Sequence, residues 1–337
     1  MSNSRHRVAV IIAAWNAEST IGRAVRSALD QREVAEVVVV NDGSSDQTVS
    51  AALAAAQGDM RFAVTSTEGN RGPAAARNIG IAASRSDYVA VLDADDFFLP
   101  DRFGAIFALS GWDAVADNIV FVPEDRAAAF DLARIENFGA DPTRVTLTEF
   151  ISGNISRPGR QRGELGFAKP VMSRRFLERH GLRYAETLRL GEDFALYARL
   201  IAAGGRFFTI RSCGYAAIER AASLSGQHRT EDLAALLAFD RWFEQSNELR
   251  PDERAALARH RSQLEHKVHH RTVLDIRSRS GAPAAILHML RNPAALPRLA
   301  LAIARDKRAG LKASGLKASG LSSSNPNASG KDYRYLL

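Results

Sequence analysis

Tyr88-Val89-Ala90-Val91-Leu92-Asp93-Ala94-Asp95-Asp96 joins a continuous apolar run to a cluster of carboxylates. A run without polar alternation suits a strand covered on both faces, as in a parallel sheet. Such a strand delivers the residues that follow it to the carboxyl edge of the sheet. There Asp93 and Asp95 would present hard oxygen ligands that suit Mg²⁺ or Mn²⁺, ions that bind well when a substrate diphosphate completes the shell. The stretch predicts an α/β fold and points to diphosphate chemistry.

Working upstream, strand and helix signals alternate. Val8–Ile12 reads as a buried strand, and Ile21, Val25, Ala28 and Leu29 mark one face of a helix. Glu36–Val40 is a second strand. Ser44–Gln47 resembles a capping box, predicting a helix with Val49, Ala52, Leu53 and Ala56 turned inward. Arg61–Thr65 makes a third strand, and Pro73 suits the first position of a helix running to about Ser84. Pro100 opens a further helix over Asp101–Leu109. Short connections between such elements imply a parallel, doubly wound sheet, which binds ligands outside the carboxyl ends of its strands.

That rule gathers Ala13–Glu18, Asn41–Asp46, Glu68–Pro73 and Asp93–Asp96 onto one edge. Strand-to-helix turns favour Asn, Asp, Gly and Ser for local reasons, but four such turns converging argue for a ligand. No Gly-x-Gly-x-x-Gly follows the first strand and no Walker loop is present, so a metal rather than a backbone nest is expected to hold phosphates.

The chain of 337 residues, 46% hydrophobic and 25% charged, has the composition of an ordinary globular protein with ample length for a core. A single cysteine, Cys213, excludes an internal disulfide and a multi-cysteine zinc site, and fits a reducing compartment. The first residues lack the apolar region of a signal peptide, and no apolar run reaches the roughly 18 residues of a spanning helix. A net charge of +7 suggests an anionic partner. Nucleic acid is set aside, because no helix-turn-helix, RNP-type pattern or zinc finger is present. A phosphorylated substrate or an anionic membrane surface remains.

Further along, Gly191-Glu192-Asp193 precedes Phe194, Leu196, Tyr197, Leu200 and Ile201, which places two carboxylates at a helix start. Unpaired N–H groups stabilise an acid there, whether it is a base or only a favourable end residue. Arg157–Arg162 reads as a basic loop before the strand-like Gly166–Met172. His266, His269 and His270 share a helical face and read as a polar surface. From residue 284 to 308, Ile286, Leu287, Leu290, Leu296, Leu299, Leu301 and Ile303 lie among Arg and Lys, a basic amphipathic pattern that can rest on an anionic membrane. A tandem Leu-Lys-Ala-Ser-Gly from Leu311 then leads into a Ser/Asn/Gly-rich end.

Val8–Asn16 (VAVIIAAWN), Val38–Thr48 (VVVNDGSSDQT), Asn70–Gly80 (NRGPAAARNIG), Tyr88–Asp96 (YVAVLDADD) and Gly191–Leu200 (GEDFALYARL) together resemble family 2 inverting glycosyltransferases with the GT-A fold. Within that family the chain is similar to bacterial enzymes of exopolysaccharide, succinoglycan-type synthesis. The family usually has Pro and Tyr where this chain has Ala13 and Trp15; Trp keeps an aromatic face for a base.

The resemblance implies a doubly wound, mostly parallel sheet flanked by helices, with a C-terminal helical extension. It divides the chain into a GT-A domain over 1–230, a helical region over 231–308 with a candidate membrane face, and a disordered low-complexity tail over 309–337. It implies transfer of a hexose such as glucose from a nucleoside diphosphate sugar, UDP foremost. The acceptor would be an oligosaccharide, lipid-linked, at the cytoplasmic face of the inner membrane.

By the same resemblance Asp193 is the catalytic base and Glu192 an acceptor-site or supporting carboxylate. Ala13, Trp15, Glu18, Asp42, Gly72, Arg77 and Asp93 would bind nucleotide. Asp95, with Asp93 and more weakly His228, would hold Mn²⁺ or Mg²⁺. Asp96 faces the other way in an extended chain and is expected to cap the following segment. Two rivals stay open: a sugar nucleotidyltransferase, which would need a glycine- and basic-rich first loop, and a degenerate scaffold that binds sugar nucleotide or membrane without turnover.

Overall fold

The computed structural model describes residues 6–136, 138–139, 141–156, 164–219, 229–291 and 333–337. Four parallel strands form one half of the sheet: β1 (Val8–Ala14), β2 (Val34–Asn41), β3 (Phe62–Ser66) and β4 (Tyr88–Val91), in the order β3-β2-β1-β4. Both faces of β1 are covered, which explains its unbroken apolar run. Ala9 and Ile11 pack with Val38, Val40 and Ala76 on one face, while Val8, Val10 and Ile12 belong to the larger core on the other. Helix α1 (Ile21–Leu29) joins that larger core, as does α2 (Thr48–Ala56), and α3 (Pro73–Ala83) covers the opposite face. The approach of α3 is close: a Cβ on Gly80 would stand 2.4 Å from the Ile11 side chain.

The other half of the sheet is mixed. Beyond β4 the order continues β8 (Val171–Ser173), β6 (Ala114–Pro123), β9 (Phe207–Glu219) and β5 (Phe97–Phe98), while β7 (Thr143–Arg144) pairs with β9. β8 runs antiparallel to both β4 and β6, whereas β6 and β9 are parallel. Between these strands lie α4 (Arg102–Phe107), α5 (Leu147–Gly153), α6 (Arg174–Arg179) and α7 (Glu192–Ala202). Helices α8 (Thr230–Ser246) and α9 (Pro251–Arg291) follow. Leu233, Leu236, Leu237, Phe239 and Phe243 of α8 enter the same core as the strands. The helical extension is thus packed on the catalytic sheet. Helix α9 is broken at Gly281 (φ 82°, ψ 174°), and the turn brings Ala285 and Met289 back against Val273 and Ile276.

Three local expectations are corrected. The proposed capping box at Ser44–Gln47 is absent: Ser44 Oγ accepts from Asn16 N (3.0 Å), and Asp46 accepts from Thr48 N (3.0 Å). The buried face of α2 is Thr48, Ala52, Ala55 and Ala56, which turns Leu53 out to 51% exposure. The last residues of the tail expected to be disordered form β10 (Arg334–Tyr335), antiparallel to β6 at Phe121 and Val120. Leu336 N donates to Ile119 O, and its side chain is buried. A short aromatic and leucine-rich terminus has enough apolar surface to close an open strand edge, which the polar repeat before it lacks.

Candidate active site

Parallel register sets the edge: Ala14 pairs with Asn41, Asn41 with Ser66, and Ile11 with Val91. Ala13 lies within β1 near this end, and Trp15 just past it is 50% exposed. Asn16 takes a left-handed conformation (φ 48°), one that Asn tolerates well. Its side chain accepts from Ser45 N (2.9 Å), and Glu18 accepts from Gln47 N (2.9 Å). Glu18 therefore ties the first loop to the second.

Asp42 is buried, and its carboxylate accepts from Thr67 Oγ1 (3.0 Å), Arg71 N (2.9 Å) and Gly72 N (2.8 Å). Gly72 supplies that last bond with φ 92°, a backbone conformation suited to glycine. A cavity of about 510 Å³ opens beside it, lined by Ser66, Thr67, Gly69, Asn70, Arg71 and Ile79 among others.

The acidic turn after β4 is clamped from β9. Tyr215, fully buried, donates to Asp96 Oδ2 (2.7 Å) and accepts from Asp93 N (3.2 Å), and Ile218 N donates to Asp96 Oδ1 (2.8 Å). Asp96 is consequently not a cap; β5 pairs with β9 and draws this carboxyl into the sheet. Burial, reinforced by the charges of Asp95 and Asp93, pushes the Asp96 carboxyl well up. The cap position of α4 falls to Asp101, with no side-chain bond.

Across from the turn, Gly191 (φ 75°) redirects the chain into α7, where a Cβ would come within 2.8 Å of Leu236. That bend aims Glu192 and Asp193 inward at the helix start. Arg77, on the buried face of α3, reaches Glu192 Oε1 (2.9 Å), Asp193 Oδ1 (3.1 Å) and Asp93 Oδ1 (2.8 Å). Its guanidinium, expected on the nucleotide, is engaged by three carboxylates. Lys169 completes the arrangement at 3.0 Å from Asp93 Oδ2 and 2.9 Å from Asp193 Oδ2. Tyr197 also donates to Asp193 Oδ1 (3.3 Å).

Burial alone would raise the Asp93 carboxyl, yet Lys169 and Arg77 hold it below the usual carboxylate range. Burial would lower the Lys169 ammonium, and Asp193 and Asp93 overcome it. Burial pushes the Glu192 carboxyl up, with Arg77 opposing and Asp193 adding to the rise.

Lys169 carries no sequence motif and was not among the expected residues; a lone lysine before Pro170 in a strand-like stretch was the available signal. Asp95 is half-buried on the same turn as Asp93. Mg²⁺ and Mn²⁺ are held by one or two carboxylates plus substrate phosphates, which suits this donor set. Asp93 and Asp95 are the carboxylates of this turn that would hold the ion. Among the described residues no group of three or more His, Cys, Asp or Glu gathers as an ion site. His228 and Arg157–Arg162 lie outside the described residues. A second cavity, of about 580 Å³, is lined by Arg144, Ile201, Gly204 and Arg250 among others and contains none of the expected site residues.

A parallel sheet whose loops converge on buried and half-buried acids, joined to a mixed half carrying a helix-borne carboxylate, defines the class: a GT-A glycosyltransferase. A family model described as glycosyl transferase family 2 matches residues 9–167. The succinoglycan biosynthesis protein ExoU of Rhizobium meliloti (strain 1021) is 50% identical over 300 residues, covering 89% of this chain and 87% of the relative. ExoO of the same organism, also a succinoglycan biosynthesis protein, is 39% identical over 240 residues, 70% of this chain and 67% of that one.

Among solved structures, S. aureus TarS in complex with UDP-GlcNAc superposes with a TM-score of 0.57 at 18% identity, covering 81% and 74% of the two chains. The mannosyltransferase PcManGT from Pyrobaculum calidifontis, in complex with GDP-Man and Mn²⁺, gives 0.52 at 20% identity, covering 87% and 81%. The chain belongs to glycosyl transferase family 2 and is a glycosyltransferase.

Proposed function

We propose that this enzyme transfers a hexose, with inversion, from a UDP-sugar to a hydroxyl of a lipid-linked oligosaccharide during succinoglycan-type exopolysaccharide synthesis. The observation that carries the reading is Asp193 at the start of α7, linked through Lys169 and Arg77 to Asp93 at the end of β4. A helix-borne carboxylate facing the donor edge is the arrangement an inverting displacement needs. The 50% identity to a succinoglycan biosynthesis protein supports the pathway class.

Asp193 accepts the proton of the acceptor hydroxyl as its oxygen bonds to the anomeric carbon. The bond from that carbon to the diphosphate breaks on the opposite face, and the electron pair leaves with the nucleoside diphosphate. Trp15 offers a face for the base, with Asp42 positioning the loop that surrounds it. Glu192, its carboxyl raised by burial, supports the acceptor side. Asp95 would hold Mn²⁺ or Mg²⁺, which when bound supplies positive charge to the departing diphosphate.

The test is turnover of UDP-hexoses with and without Mn²⁺ in the presence of bacterial polyprenyl-linked oligosaccharides. UDP release that depends on both acceptor and metal is expected. Pyrophosphate-dependent release of UTP would instead indicate a nucleotidyltransferase, and tight binding without turnover a scaffold.

The membrane partner belongs to the same proposal. No described helix is long and apolar enough to cross a bilayer. After the break in α9, however, Ile286, Leu287 and Leu290 are 50% exposed or more, and Arg277 and Arg279 before the break and Arg291 after it are also exposed. Exposed apolar and arginine residues on one helical segment suit an anionic surface. The protein is expected to float with phosphatidylglycerol vesicles and to lose that binding in Leu287→Glu/Leu290→Glu; equal flotation of the variant would remove this face from the account.

A further inference from the structure

Asp193 has each of its oxygens bonded to a different cation. Arg77 takes Oδ1 at 3.1 Å and Lys169 takes Oδ2 at 2.9 Å. The same two cations hold the two oxygens of Asp93, at 2.8 Å and 3.0 Å. The four side chains close a ring that spans the cleft between the end of β4 and the start of α7. A carboxylate bonded at one oxygen can still turn about its terminal torsion, which is broad. Bonded at both, it is fixed in plane and direction.

Lys169 is built into place from behind. Its backbone carbonyl accepts from Arg102 Nη2 (2.5 Å), and Arg102 is itself locked to Asp117 (2.7 Å), both side chains being at most 1% exposed. Gly214 makes room for that pair, since a Cβ there would stand 2.3 Å from Asp117 Oδ2. A buried ion network is weak evidence of a gain in stability, since replacing the whole network by apolar residues is often neutral, although removing one member alone is costly.

We propose that Lys169 is a positioning residue of the transfer reaction, tying Asp193 to the donor-side Asp93 so that the proton acceptor keeps one orientation and one spacing from the donor. The inference rests on the reading of Asp193 as the base.

The experiment compares Lys169→Gln, Lys169→Arg, Asp193→Asn and the two double variants, reading kcat for transfer, the Kd for UDP by calorimetry, and a thermal melt. Lys169→Gln is expected to lower kcat roughly 10- to 100-fold, the scale of a misplaced catalytic group, with the UDP Kd within about threefold of parental. Lys169→Arg, which keeps the charge but not the reach, should fall between. In the Asp193→Asn background neither substitution should cost more than about twofold further, because Lys169 acts through that carboxylate.

Parental kcat in Lys169→Gln, or losses that multiply in the double variants, would overturn the proposal. If the glutamine variant does not fold, the arginine variant decides alone: it must lose kcat by itself and lose little more beside Asp193→Asn. Failure of the base assignment looks different, since Asp193→Asn itself would then retain transfer.

Discussion

Asp93 and Asp95 stand two residues apart, and the proposed function gives them different work. Asp93 neutralises two buried cations; Asp95 sits half-buried at the rim of the turn. Asp95→Asn is therefore expected to abolish the Mn²⁺-dependent part of UDP binding, by tenfold or more, with a melting temperature within about 2 °C of parental. Calorimetry with Mn²⁺ and with EDTA reads it, and a variant that still gains affinity from Mn²⁺ would contradict the assignment. The acids at strand and helix ends were legible in sequence because their chemistry is written in adjacent letters. Lys169 was not: its partners lie 24 residues downstream and 76 upstream, and only the antiparallel β8 brings it between them. Asp96 was misread for a related reason, since local alternation cannot reveal that Tyr215 and Ile218 on a distant strand claim its oxygens.

At the scale of elements, the apolar runs of β1, β2 and β4 could be placed because both faces of those strands are covered. The phase of α2 could not, because five of its nine residues are alanine and side-chain size gives little direction. Helix α7 depends on a single hinge. Gly191 has φ 75°, and a Cβ there would stand 2.8 Å from the Leu236 side chain, which would have to shift. Gly191→Ala combines strain with a clash and is expected to destabilise by about 1–3 kcal/mol, while lowering kcat more than UDP affinity, because Asp193 rides on the displaced turn. Chemical denaturation together with steady-state kinetics checks both halves; an unchanged midpoint and kcat would show that the turn has more freedom than its backbone angles indicate.

In the molecule as a whole, the parallel half of the sheet carries the loops assigned to the donor and the mixed half carries the proposed base. The chain's last residues add to the mixed half. Tyr333 packs on Phe130, Arg334 pairs with Glu219, and Leu337 N donates to Asn118 Oδ1 (2.8 Å). Deleting residues 333–337 should lower the melting temperature by roughly 2–10 °C, as loss of about 1–3 kcal/mol of ladder bonds and apolar burial requires. An unchanged melt would mean that β10 contributes nothing to the sheet. Composition hid this strand, because a polar, repetitive stretch of sequence precedes it.

The account stands most directly on Asp193, and the decisive measurement is single-turnover transfer by Asp193→Asn alongside its UDP–Mn²⁺ affinity. Asparagine keeps the shape and a hydrogen-bonding oxygen but cannot take the acceptor's proton in the transition state. The rate of transfer is predicted to fall by about 10²–10⁴-fold, with donor affinity within about threefold of parental. Transfer at the parental rate in that variant would contradict the mechanism.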